Sequence, residues 1–140
     1  MKVLLPVDGS EYTKRMLDYV GSHDELLGKS HEYFFFTAVP SIPPHASRFV
    51  DKATIDGHYA DEAAKVLQPV AALAEANGMK ATTHHSHGHA ADCIAAFAEQ
   101  HGIDLIVMGT HGHSAFGSLA MGSVATGVLA RCKVPVLLVR

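Results

Sequence analysis

Residues 104–113 read Asp104-Leu105-Ile106-Val107-Met108-Gly109-Thr110-His111-Gly112-His113, an apolar run that leads directly into a glycine-rich segment ending at Ser123. The apolar run has the length and composition of a strand that is buried on both faces. Glycine allows the backbone to turn sharply and to approach a ligand closely. We therefore predict a buried strand at 103–108, a ligand-binding loop after it, and then a helix that reaches about Arg131.

The rest of the chain repeats this order of strand and helix. Apolar runs predict further buried strands at 2–7, 33–39 and 134–139, and the polar alternation of 79–86 predicts a strand at an outer position in the sheet. Helical spacing predicts helices from an N-cap at Ser10 toward Gly28, from about Asp56 to Asn77 after a longer loop, and from Ala90 to Gln100. Five strands alternating with four helices predict one α/β domain over residues 1–140, a doubly wound five-stranded parallel sheet with helices on both faces.

Composition limits the classes of function. The 140 residues are 48% hydrophobic and 18% charged, which is typical of a folded domain with a sizeable core. The formal net charge of -3 gives no global attraction to nucleic acid or anionic membranes, and no apolar stretch approaches the length of a membrane span. We expect a cytoplasmic protein with no nucleic-acid partner and no membrane insertion. The two cysteines lack Cys-x-x-Cys spacing, so we expect them to be reduced.

Two strand ends carry candidate ligand-binding residues. In open α/β sheets, ligands bind beyond the carboxyl ends of the strands, where the strand order reverses. Asp8 follows the first predicted strand and the glycine-rich loop follows the fourth, so the two would face one crevice if those strands were neighbours. Gly109, Gly112 and Gly122 would let backbone N–H groups grip a polyphosphate. Ser123 is a candidate cap for the last helix, whose N-terminus favours an anion.

The charges of this loop exclude two common phosphate sites. The segment from Gly109 to Ser123 contains no Lys or Arg. It is therefore not a Walker A loop, and Gly-x-Gly-x-x-Gly does not follow the first strand as it does in dinucleotide-binding folds. The charge of a bound phosphate would be met by backbone dipoles, by His111 or His113, and by a metal ion.

These motifs resemble those of a known family. Met108-Gly109-Thr110-His111-Gly112, nine further residues and Gly122-Ser123 match the nucleotide-binding branch of the universal stress protein (UspA) family, whose pattern is Gly, two residues, Gly, nine residues, Gly and Ser or Thr. The resemblance runs the whole chain and includes Lys2–Ser10 and Val134–Val139. It implies a Rossmann-like fold of the adenine nucleotide alpha hydrolase type and ATP bound without fast turnover. Two segments depart from the pattern: His113 stands where members often have Arg, and the loop at 40–56 does not match.

The resemblance also implies a role for each site residue. Asp8 would meet the ribose, and Pro6, Val7 and Val39 would wall the adenine. The ribose and phosphate path would be lined by Met108, Gly109, His111 and Gly112. The phosphates would be held by Gly122, Ser123 and Val124, together with Mg²⁺ or Mn²⁺. The implied function is that of an ATP-binding regulatory or stress-response module. The alternative is a nucleotide-free module that binds a partner protein.

The last predicted strand, Val134–Val139, indicates self-association. It is wholly apolar, so as an edge strand it would promote aggregation unless it were paired or covered. The resemblance implies a homodimer in which this strand pairs across a two-fold axis. The alternative is that a loop or helix covers it.

A histidine cluster at His84, His85, His87 and His89 raises a third possibility, a site for a divalent transition metal. We favour solvated surface histidines, because no Cys and only Asp92 accompanies them closely.

For catalysis, no serine lies in Gly-x-Ser-x-Gly and no paired carboxylates occupy the predicted strand ends. We therefore assign no catalytic residue and expect at most slow ATP hydrolysis.

Overall fold

The computed structural model describes residues 1–113 and 121–140, so residues 114–120 of the predicted loop lie outside the described part. The elements, in chain order, are strands β1 to β5 and helices α1 to α6. They are β1 (Lys2–Pro6), α1 (Glu11–Ser22), α2 (Asp24–Leu27), β2 (Glu32–Val39), α3 (Pro44–Ser47), α4 (Lys52–Ala76), β3 (Ala81–His87), α5 (Ala90–Gln100), β4 (Leu105–Gly109), α6 (Ser123–Arg131) and β5 (Val136–Val139).

The five strands form one sheet in the order β3-β2-β1-β4-β5, and all neighbouring strands are parallel. The central strand β1 pairs with β2 on one side and with β4 on the other, with Val3 opposite Leu105. The chain moves outward from β1 to β3 and then returns to β4, so the strand order reverses between β1 and β4. The predicted doubly wound α/β fold is confirmed, and so is the outer position of β3.

The two faces of the sheet are covered by different helices. Alternation along β2 directs Tyr33 and Phe35 toward α1 and α4, and Phe34 and Phe36 toward α5 and α6. Because both faces of β2 are buried, its sequence is continuously apolar rather than alternating. No helix in the described part of the chain is long and apolar enough to cross a membrane.

Several predicted helix bounds are wrong. The predicted first helix divides at His23, whose φ of -123° and ψ of 62° are not helical and whose ring stacks on Tyr19. The predicted loop at 40–56 contains α3 and the start of α4, because the Asp51 side chain caps α4 by accepting a hydrogen bond of 2.7 Å from the Thr54 N–H. Pro69 lies inside α4 without ending it.

The two predicted N-caps have different outcomes. Ser10 caps α1, since its Oγ accepts a hydrogen bond from the Thr13 N–H. Ser123 does not cap α6: it is the first helical residue, and Gly122 occupies the N-cap position without a side-chain hydrogen bond. The N-terminus of α6 therefore has no side chain of its own over its first N–H groups.

Candidate functional site

A cleft of about 490 Å³ opens at the carboxyl ends of β1, β2 and β4. Its volume lies within the range of about 300–1,000 Å³ that is typical of small-molecule sites. The cleft lies where the strand order reverses, which is the expected ligand position in this class of fold.

All but one of the predicted site residues line this cleft. They are Pro6, Val7, Asp8, Met108, Gly109, His111, Gly112, Gly122, Ser123 and Val124. Val39 is the exception among the described residues: its side chain is buried in the cluster beneath α4. The preceding residues Phe36, Thr37 and Ala38 line the cleft instead.

Five further lining residues, which were not predicted from the sequence, come from other parts of the chain. These are Thr13 of α1, Ala90 and Ile94 of α5, Thr110 after β4 and Ala125 of α6. The lining residues of α5 could have been predicted from the chain order. A helix that follows an outer strand and leads back to β4 must cross the sheet near the carboxyl end of β2. The residues at the start of α5 could have been assigned to the cleft on that ground.

Asp8 is held firmly at the end of β1. Its Oδ1 accepts hydrogen bonds of 2.9 Å from the Ser10 N–H and from the Thr13 hydroxyl. The Asp8 N–H donates to Thr13 Oγ1 at 3.1 Å, and Gly9 takes a φ of +76°, which completes the turn. Its other oxygen, Oδ2, lies against Gly112, since a Cβ at residue 112 would stand 2.5 Å from it. Asp8 is thus both a turn residue and a carboxylate presented to the cleft.

The N-terminus of α6 forms the opposite wall. The Gly122 N–H donates to the Thr110 carbonyl at 2.7 Å, which brings the chain back to the end of β4. A Cβ on Gly122 would stand 3.1 Å from both His111 Cα and the Thr110 oxygen. Only glycine therefore lets the backbone at residue 122 approach residues 110 and 111 this closely. Residues 123–125 of the first turn line the cleft, and the N–H groups there have no partner within the helix. Together with the helix dipole, they favour an anion at this wall.

The structure gives Gly109 a different role from the one expected. A Cβ on Gly109 would stand 2.8 Å from Tyr12 Cβ and 3.3 Å from the Tyr12 backbone. Gly109 therefore allows α1 to pack against the end of β4. Gly112 allows the loop to lie against Asp8, and Gly122 allows the start of α6 to pack against Thr110 and His111.

The two histidines of the loop make different contacts. The His113 Nε2–H donates to the Asp8 carbonyl at 2.6 Å and so joins the two loops that border the cleft. His111 Nδ1 lies 2.9 Å from Thr110 Oγ1, and the His111 ring lies against Tyr12. Among the described lining residues, Asp8 is the one carboxylate and none is Lys or Arg.

The histidines of β3 lie outside this cleft. His84 packs against Phe97 and lies 5.8 Å, ring to ring, from His101. Burial lowers the pKa of His84 below its ordinary value, and the nearby His101 lowers it further. The interpretation as solvated surface histidines holds only in part for His84, which is partly buried. It is incomplete for His87, which is exposed but stacks on Tyr59 with 4.2 Å between ring centroids.

The outer members of the cluster are more polar. His85 is exposed on β3, and His89, at the start of α5, lies 3.3 Å from the Asp92 carboxylate, which also contacts Arg131. Across residues 1–113 and 121–140, no three His, Cys, Asp or Glu side chains come together as a metal site would require.

Comparison with known proteins relates this arrangement to a family. The sequence profile of the universal stress protein family matches residues 1–140. Hypothetical protein MJ0577, whose biochemical function was assigned from its structure, is 26% identical, with a TM-score of 0.81 over 99% of this chain and 94% of that one. No curated protein matches the chain significantly.

Two structures with a nucleotide share the fold at lower identity. A universal stress protein in complex with cAMP is 23% identical, with a TM-score of 0.71 over 100% of this chain and 97% of that one. The universal stress protein from Archaeoglobus fulgidus in complex with dAMP is 20% identical, with a TM-score of 0.69 over 100% of this chain and 98% of that one.

Proposed function

The chain belongs to the universal stress protein family, and from that premise we propose that its cleft binds ATP and that the protein acts as a nucleotide-dependent regulatory module. The observation that carries the proposal is the facing pair formed by the Asp8 carboxylate and the N-terminus of α6, with Gly112 and Gly122 between them. A carboxylate suits ribose hydroxyl groups, which donate hydrogen bonds to it. A helix N-terminus suits phosphates. Two related folds, in complex with cAMP and dAMP, support an adenine nucleotide as the ligand.

The residues of the cleft fit such a ligand. Apolar side chains at the end of β1, in β2 and in α5 supply a surface for a base: Pro6, Phe36, Ala38 and Ile94. Glycines at 112 and 122 allow the loop to lie against Asp8 and the start of α6 to pack against Thr110 and His111. The lack of Lys and Arg among the described lining residues implies that backbone N–H groups, not cationic side chains, meet much of the phosphate charge.

A divalent ion would enter with the nucleotide rather than occupy a site of its own. Asp8 is the one carboxylate among the described lining residues, and Mg²⁺ is commonly held by one or two carboxylates together with substrate phosphates. When bound, Mg²⁺ or Mn²⁺ would neutralise part of the phosphate charge. Ser123, with its exposed hydroxyl at the start of α6, is the second candidate oxygen ligand.

Calorimetric titration with ATP and Mg²⁺ tests this proposal. Gly122→Val is the informative variant, because its side chain would meet the backbone of Thr110 and His111 and push the start of α6 away from the end of β4. Gly21→Ala is the matched control, since nothing lies within 4 Å of a Cβ there. We expect heat with the wild type and with Gly21→Ala, and a loss of at least about tenfold in affinity, or ~1.4 kcal/mol, with Gly122→Val. Absence of heat from the wild type, or equal binding by Gly122→Val, would contradict the proposal.

We also propose that the protein forms a homodimer through the Val134–Val139 segment. β5 is an edge strand. The Ile106 N–H bonds to the Pro135 carbonyl and the Thr110 N–H to the Val139 carbonyl, so the odd-numbered residues face β4. The N–H and C=O groups of Val136 and Leu138 therefore point outward and are suited to antiparallel pairing with a second copy.

Val136→Pro tests the dimer, because it removes an outward N–H and no hydrogen bond to β4. We expect a dimer for the wild type and a monomer for Val136→Pro in sedimentation equilibrium, with unchanged circular dichroism. A monomeric wild type would contradict this part of the proposal.

The second candidate function is that of a nucleotide-free interaction module. It is favoured by Phe49 between α3 and α4, whose side chain is 85% exposed, since a large exposed aromatic residue is typical of contact surfaces. Acid extraction of the purified protein, followed by analysis for released nucleotide, separates the two candidates. Released adenine nucleotide supports the first, and its absence together with no heat on ATP titration supports the second.

A further inference from the structure

Tyr12, in the first turn of α1, contacts His111, a residue that lines the cleft. Its ring centroid lies 4.9 Å from that of His111, with 39° between the ring planes. The guanidinium carbon of Arg15, one turn further along α1, lies 5.2 Å from the Tyr12 ring centroid. Arg15, Tyr12 and His111 thus form a continuous series of contacts from an exposed cation to a residue that lines the cleft.

Both ends of the Tyr12–His111 contact are fixed by their surroundings. On the α1 side, the Tyr12 backbone packs against Gly109, where a Cβ would stand 3.3 Å from its carbonyl carbon. On the loop side, His111 Nδ1 lies at hydrogen-bond distance from Thr110 Oγ1, and the Gly122 backbone packs against His111 Cα. The imidazole therefore has a defined orientation before any ligand arrives.

Charged and titratable side chains of both signs lie around Tyr12, His111 and the cleft. Arg15 is attracted to the face of Tyr12 by a cation–π interaction, which places a positive charge beside the ring that contacts the imidazole. Among the described lining residues, the other titratable groups are Asp8 after β1 and His113 on the same loop, and His113 donates to the Asp8 carbonyl. Of the two loop histidines, His111 contacts α1 through Tyr12, whereas His113 contacts the turn after β1.

We propose that Tyr12 is a positioning residue that holds His111 toward the phosphates of a bound nucleotide, so that the cleft discriminates nucleotides by their number of phosphates. The inference rests on the proposed nucleotide binding. Its physical basis is entropy: a side chain ordered in advance does not have to be ordered on binding, which saves about two- to tenfold in affinity for one side chain. That gain applies only to ligands that reach His111.

The test measures affinity for adenosine, AMP and ATP in the wild type, Tyr12→Leu and Tyr12→Phe. Tyr12→Phe keeps the ring and is the matched control. We expect Tyr12→Leu to lose about two- to tenfold in ATP affinity, with adenosine affinity unchanged, and Tyr12→Phe to match the wild type. Circular dichroism of each variant checks that α1 still packs on β4.

A double-mutant cycle separates positioning from general damage to the fold. In a His111→Ala background, Tyr12→Leu should no longer affect ATP affinity, because the residue that it positions is missing. The contact itself is tested without nucleotide by NMR: removal of the Tyr12 ring should shift the His111 ring-proton resonances in Tyr12→Leu and not in Tyr12→Phe.

The outcomes distinguish this inference from the proposed function. If the wild type binds neither ATP nor AMP, both are overturned. If the wild type binds ATP but Tyr12→Leu weakens adenosine and ATP equally, or weakens neither, the inference is overturned and the proposed function stands. An unchanged effect of Tyr12→Leu in the His111→Ala background also overturns the inference.

Discussion

Gly112 lies against the carboxylate of Asp8, so closely that a Cβ on residue 112 would stand 2.5 Å from Asp8 Oδ2. The two residues come from loops that follow β1 and β4, the neighbouring strands between which the sheet order reverses. Asp8 cannot simply move aside, because its Oδ1 is held by the Ser10 N–H and the Thr13 hydroxyl. The geometry of the carboxylate therefore depends on the absence of a side chain at residue 112.

Gly112→Ala should accordingly weaken nucleotide binding. The added methyl group would force Asp8 away from Ser10 and Thr13 or push the loop away from β1. We expect ATP affinity to fall at least about tenfold, which corresponds to ~1.4 kcal/mol, measured by calorimetric titration. Gly21→Ala serves as the control, and equal affinities for the two variants would show that the contact has no role in binding.

Gly127→Ala should destabilise the fold, because a Cβ there would stand 2.6 Å from the Cβ of the fully buried Ala91 and push α6 away from α5. We expect a loss of about 1–3 kcal/mol in the free energy of unfolding. Gly57→Ala, inside α4 with nothing within 4 Å of the new methyl group, should instead gain about 0.5–1 kcal/mol. Urea unfolding of both variants measures the difference, and changes of the same sign would contradict the packing argument.

The stability of the protein should fall in mild acid because of His84. Its pKa in the folded protein is lowered by burial and by His101, whereas the unfolded chain has the ordinary value of about 6.5. The folded state thus binds fewer protons, so the contribution of His84 is present above about pH 6.5 and is lost as the pH falls through the folded-state pKa.

Urea unfolding at pH 7.5 and at pH 5.5 checks this prediction. His84→Phe keeps a ring against Phe97 but cannot be protonated, so its stability should change less between the two pH values. His45→Gln, at an exposed position in α3, should behave like the wild type. An equal pH dependence of the wild type and His84→Phe would exclude His84 as the source.

Tyr33 should ionise only at strongly alkaline pH. Burial raises its pKa to about 12, with a contribution from the Asp24 carboxylate. Its hydroxyl donates to the backbone carbonyls of Leu27 and Gly28. Since the folded pKa lies above the ordinary value of about 10, this group stabilises the fold below about pH 10, and the contribution is lost as the pH rises toward 12.

Spectrophotometric titration measures this directly, because Tyr33→Phe should remove the step near pH 12. The same variant leaves carbonyl groups without their donor and should cost about 1–3 kcal/mol of stability at neutral pH. Tyr19→Phe should leave the high-pH step in place. If Tyr19→Phe abolished the high-pH step, the step would belong to Tyr19 and the assignment to Tyr33 would be wrong.

Much of the fold could be predicted because buried parallel strands are continuously apolar. The runs at 33–39 and 103–108 are too short to span a membrane as helices and have the composition of buried strands, and the polar alternation of 79–86 assigned β3 to an outer position. The break at His23 could not be predicted in this way, because the apolar spacing continues across it to Leu27. The start of α4 was missed although Asp51 and Thr54 have the spacing of an N-cap and its third helical residue.

Most of the predicted site residues lie in loops that border the cleft, and Val39 does not line it because of side-chain alternation. Val39 and Ala38 both lie at the end of β2, but Val39 points toward α4, while Ala38 points toward α5 and lines the cleft. Which face of a buried strand meets a ligand depends on where the following helices cross the sheet. The partial burial of His84 was missed for a similar reason, since an edge strand of a sheet that carries helices on both faces is still covered by them, here by Phe97 of α5.

The central position of β1 determines when the cleft can form during synthesis. The Lys2 N–H bonds to the Asp104 carboxylate across 102 residues of chain, and the cleft needs both the end of β1 and the residues that follow β4. A chain growing from its N-terminus therefore carries β1 without one of its two partners until residues 105–109 have been made, and its apolar edge stays open to chaperones during that time. The proposed nucleotide site would then be completed in one late step, when α6 joins the end of β4, so a ligand that stabilises the native state could act only on chains that have reached that point.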